Sequence, residues 1–83
     1  MEYASKISYE VKIVEEIAKR ILKHNPRKIV LYINELGGIV GIEGISAEEE
    51  KEIIDKLDKI EYIDALELLY SILKDKVNVE VVL

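Results

Sequence analysis

The chain has a single histidine, His24, set among Lys19, Arg20, Lys23, Arg27 and Lys28. Metal ligation or proton shuttling needs a carboxylate or a second imidazole beside it, and here the sequence neighbours are cations. His24 therefore reads as a residue of a helix C-terminus, where positive charge suits the helix dipole. There is no cysteine, which removes disulfides, thiolate zinc sites, iron–sulfur clusters and a cysteine nucleophile together. None of the serines Ser5, Ser8, Ser46 and Ser71 lies in Gly-x-Ser-x-Gly, and the lone histidine has no evident Asp partner for a triad. Gly37-Gly38 is followed by neither a Lys-Ser/Thr pair nor a helix start, so it is no phosphate loop. The expectation is no catalytic residue, no metal site and no cofactor.

The charged clusters point instead to protein contacts. Glu48, Glu49, Glu50 and Glu52 fall at a helix start, where negative charge complements the dipole. Glu35 and Glu43 are carboxylates that could flank a cleft, but nothing marks one as acid and the other as base. The basic cluster lacks interleaved aromatics, and the net charge is −5. Both features disfavour a nucleic-acid partner. Residues 1–45 hold seven basic and six acidic groups, against five and eleven in residues 46–83. Such asymmetry steers protein partners or self-association. The expected partner surface comprises Glu48, Glu49 and Glu52 together with Lys19, Arg20 and Lys23.

With 83 residues, 49% apolar, the chain suits one domain with one core. Its longest uncharged run, Leu36 to Ile42, is far short of the ~18–20 residues of a membrane span. Met1–Lys6 has no apolar run after a basic start, unlike a signal peptide. A cytoplasmic location is the expectation. Ile, Lys and Glu dominate while Gln and Thr are absent, a bias expected of a hyperthermophilic, archaeal source.

The elements that must position these residues follow from periodicity. Residues 8–24 read as an amphipathic helix with Val11, Val14, Ala18, Ile21 and Leu22 in its stripe, widened by Ile13 and Ile17. Ser8 is its N-cap and Glu10 lies in its first turn. Residues 1–7 form either an extra turn or a strand-like lead-in. Asn25 and Pro26 end the helix. Ile29–Ile33 is a strand. Residues 39–43 are either its hairpin partner through Asn34–Gly38 or a packed loop. Ser46-Ala47-Glu48-Glu49 is a capping box that opens a second helix, with Ile53, Ile54, Leu57 and Ile60 on its buried face. A break near Ile60–Ile63 precedes a third helix from Ala65, capped by Asp64, with Leu66, Leu69, Tyr70 and Leu73 on one face and Leu68 and Ile72 widening it. Tyr32 and Tyr70 are expected to pack in the core with their hydroxyls at its edge. Val77–Val81 alternates as a half-buried strand.

The order α-β-(β)-α-α-β predicts an α+β two-layer sandwich, with helices on one face of a two- or three-stranded sheet. The apolar terminal strand lies at an edge, and the helices carry surplus apolar surface. A homodimer is therefore expected, through that edge or the outer helix faces.

The chain also resembles the N-terminal domain of the HypA/HybF family, the nickel metallochaperones of hydrogenase maturation. The likeness is carried by Met1-Glu2-Tyr3-Ala4-Ser5, by Val14-Glu15-Glu16-Ile17-Ala18-Lys19, and by Ile29–Leu36 with its Glu35-Leu36 ending. Val77–Val81 resembles the family's second strand, so about half the chain is covered. The family's nickel-binding histidine follows the initiator Met, where this chain has Glu2, and Asn34 replaces the Gly of its Gly-Glu-Leu. The cysteines of the family's zinc domain are absent. The resemblance thus implies a HypA-like scaffold acting through protein contacts with both metal sites lost. Without it, the residues imply a small acidic adaptor, regulator or inhibitor of a hyperthermophile or its virus, covering a basic protein surface.

Overall fold

The computed structural model describes residues 2–83. Met1 and the Glu2 side chain, where the resemblance led to the expectation of no nickel site, lie outside the described residues. Three helices and a three-stranded sheet form the expected α+β sandwich: α1 (Glu2–Lys23), β1 (Lys28–Ile33), β2 (Ile39–Glu43), α2 (Ala47–Asp58), α3 (Ala65–Leu73) and β3 (Asn78–Val82).

α1 begins six residues before Ser8. Ser8 is exposed inside the helix and caps nothing. The added turns rest on a distant residue. The Tyr3 ring meets Tyr62 edge-on at 5.3 Å, and Lys6 Nζ donates to the Tyr62 hydroxyl at 3.3 Å. Glu10, read as a first-turn residue, is a buried clamp: its carboxylate accepts the N–H groups of Glu61 at 2.8 Å and Tyr62 at 2.7 Å. The other end follows the sequence, with Asn25 in the left-handed region at φ 48° and Pro26 next.

β1 and β2 form the hairpin, antiparallel, and β3 joins the other side of β1 in parallel, giving the order β2-β1-β3. The turn is organised by Asn34, whose Oδ1 accepts the N–H groups of Leu36 and Gly38. A register shift at Val40 sets Gly41 opposite Tyr32. A Cβ at Gly41 would press on the Tyr32 ring at 3.3 Å, so this glycine makes room within a strand. Gly44 then turns the chain at φ 113°, where a Cβ would stand 2.5 Å from the Lys28 carbonyl oxygen. Only glycine fits that conformation and that space.

The inner sheet face carries Ile29, Leu31, Ile39 and Ile42 against Val14, Ile17, Ala18 and Ile21 of α1, with Ile53, Leu57, Leu69 and Leu73 from the other helices. α1 contacts both α2 and α3, α2 lies against β2, and α3 packs on β3. β3 contributes no fully buried residue. Ser46 and Asp64 cap α2 and α3 as expected. Only half of the capping box forms: Glu49 N–H donates to Ser46 Oγ at 3.2 Å, but the Glu49 carboxylate turns to α1.

Tyr70 departs from the expected face. It is 37% exposed, while Leu69 and Leu73 are fully buried. The stripe of α3 widens toward Leu68, which lines a cleft with Val11 of α1. Tyr70 stands on the opposite flank. Tyr32 is half-buried on the outer sheet face, with its hydroxyl donating to Glu43 at 2.7 Å.

Candidate functional site

The helix carrying Lys19, Arg20 and Lys23 ends where the helix carrying Glu48, Glu49 and Glu52 begins, so both halves of the expected surface meet. They meet partly to bond each other. Arg20 Nη2 donates to both Glu49 oxygens at 2.5 and 2.9 Å and lies 3.3 Å from Glu52 Oε2. His24 Nε2 stands 3.9 Å from Glu49. The hydrogen bonds from Arg20 hold the Glu49 carboxyl below its ordinary range, against the opposing effect of burial. The same bonds, led by the one to Glu49, raise the Arg20 guanidinium. Lys19, Lys23 and Glu48 are exposed and make no ion pair among the described residues.

Glu35 and Glu43 are not brought together. Glu35 is in the hairpin turn, and Glu43 is at the far end of β2, paired with Val30. Among the described residues, no three His, Cys, Asp or Glu side chains converge as a metal site would require. No described helix is long and apolar enough to cross a membrane.

The outer sheet face is satisfied by its own side chains. Lys28 and Glu80 pair at 2.7 Å, which raises the Lys28 ammonium. The Tyr32 phenol is raised chiefly by its bond to Glu43. Val30 lies between these pairs and is 7% exposed without a helix above it.

The two sheet edges differ. Along β2, the Glu50 carboxylate of α2 accepts the Ile42 N–H at 2.9 Å. A side chain thus occupies an edge donor, and α2 lies beside the strand. Together with the register shift, this disfavours further pairing. Along β3 nothing is paired beyond the strand among the described residues. Its register, Ile29 with Val79 and Leu31 with Val81, places Val79 and Val81 on the helix-covered face. The cover is incomplete: Val81 is 40% exposed and Leu83, just past the strand, 94%. Tyr70 is a further exposed side chain, on the flank of α3 away from α1.

The expected partner surface did not include this rim as residues, although the apolar ending of the chain signalled it. Glu50 had no signal, since nothing local shows that it reaches back to β2. Comparison with family models, with curated proteins and with solved structures gave no match.

Proposed function

We propose that this chain is a non-catalytic protein-interaction domain that works through the edge of β3, and that its first partner is a second copy of itself. The observation that carries this is the contrast between the edges: Glu50 occupies a donor of β2, while β3 offers an unpaired backbone beside the exposed Val81 and Leu83. Strand addition at such an edge gains main-chain hydrogen bonds and buries alternate side chains.

The strand is self-complementary in an antiparallel register. Antiparallel pairing about a two-fold axis at Val81 sets Val81 against Val81, Val79 against Leu83 and Glu80 against Val82. Helix-side residues then meet helix-side residues, and the two Glu80 carboxylates stay apart. Centring the axis on Glu80 would oppose them, which is destabilising.

The arrangement of β1 beside β3, with α1 and α3 on one face, supports a HypA-like scaffold for this domain. The acidic-adaptor reading has less support, because Glu49 and Glu52 already serve Arg20. Hydrogen exchange at two concentrations tests the proposal. Outward amides of β3 should be protected when concentrated and exchange faster on dilution. Concentration-independent exchange along β3 would count against it.

A further inference from the structure

A second surface lies away from the β3 edge. α1 and α2 enclose an open groove of about 590 Å³ that runs from Arg20 past Lys12, Ile13 and Lys56 to Tyr9 and Lys59. Its floor is apolar, from the half-buried Ile13 and the buried Ile17. Its charged groups are unequally committed. Arg20 is held by Glu49 and Glu52, and Glu10 by the two linker N–H groups. Lys12, Lys56 and Lys59 are exposed and unpaired among the described residues, with Glu16 as the opposing charge in the lining. In a chain of net charge −5, this is a local excess of cations around an apolar floor.

We infer that this groove docks an acidic amphipathic helix of a partner protein. The form of the occupant follows from the walls. Both are helices, whose N–H and C=O groups are spent on their own ladders. An occupant finds no main-chain partners there and must satisfy its own backbone, as a helix does. Its apolar face covers the half-buried Ile13 and the exposed Tyr9 ring, above the buried Ile17, and its acidic flanks meet Lys12 on one side and Lys56 and Lys59 on the other. From Tyr9 to Arg20 the α1 wall is about 16 Å long, which accommodates about three helical turns. The inference does not depend on pairing at β3.

The probe is a fluorescein-labelled peptide of about 16 residues, with leucines along one helical face and glutamates flanking them. Fluorescence anisotropy should show saturable binding that weakens with salt. Lys56→Glu combined with Lys59→Glu should weaken it about tenfold. Amide chemical shifts of the wild-type protein should move along residues 9–20 and 56–59, a readout that needs no variant to fold. Val81→Lys, which alters the β3 edge, should bind equally well. Equal binding of a lysine-for-glutamate peptide, of unstructured polyglutamate or of a single-stranded oligonucleotide would overturn the inference. So would shifts confined to other surfaces, or no saturation at millimolar peptide.

Discussion

The Glu10 carboxylate accepts the backbone N–H of Tyr62 at 2.7 Å, joining the first helix to the linker between the second and third. Its other oxygen takes the N–H of Glu61, so one buried side chain satisfies two donors that no secondary structure serves. Glu10→Ala should cost about 1–3 kcal/mol, because two part-buried N–H donors lose a charged acceptor. Glu10→Gln keeps one acceptor oxygen and should lose less. Urea midpoints at unchanged slope measure both, and an alanine variant as stable as wild type would show that the clamp contributes nothing.

The cap of α2 gives a smaller effect. Ser46 Oγ accepts the Glu49 N–H at 3.2 Å. Ser46→Ala should lower stability by about 0.5–2 kcal/mol. Chemical denaturation resolves this, and an unmoved midpoint means that the cap does not stabilise the helix.

Acid should weaken the junction of α1 and α2. Bonding to Arg20 lowers the folded-state Glu49 carboxyl below its ordinary value of 4.5. A carboxyl depressed on folding contributes stability that is present above the unfolded value and lost as pH falls through the folded one. Stability should therefore fall with acidification below about pH 4.5, more shallowly in Glu49→Gln than in wild type. Parallel acid limbs for the two proteins would contradict this.

Nickel should not bind stoichiometrically. The chain has Glu2 where the resembled family has histidine, and its one imidazole, His24, has cations as sequence neighbours and lies 3.9 Å from Glu49, with no second imidazole in the sequence. A nitrogen-rich, square-planar site cannot be assembled from these groups. Equilibrium dialysis of untagged protein checks this. One nickel ion held per chain at micromolar affinity would show that a site exists.

Much of the scaffold was legible locally. Ser46 and Asp64 carry short-range capping signals, Asn25-Pro26 a stop, and Val77–Val81 an alternation, and each became the expected element. What was hidden depends on contacts between residues distant in sequence. The two extra turns of α1 rest on Tyr62, which nothing near Tyr3 or Lys6 announces. Glu10 and Glu50 look like solvated helix carboxylates, yet both accept backbone N–H groups of other segments. Arg20 and Glu49 were both expected on a partner surface. Their bond to each other follows only from α1 ending where α2 begins. Tyr70 shared the spacing of the buried stripe, but the stripe turned toward α1 and left Tyr70 exposed.

Pairing of β3 with its copy is tested most directly by sedimentation equilibrium across micromolar concentrations. The account predicts a mass near twice the 9.5 kDa of the chain. In Val81→Lys, a charge at the centre of the proposed register should return the mass to that of one chain. A wild-type mass near 9.5 kDa throughout, or a dimer unmoved by Val81→Lys, would contradict it.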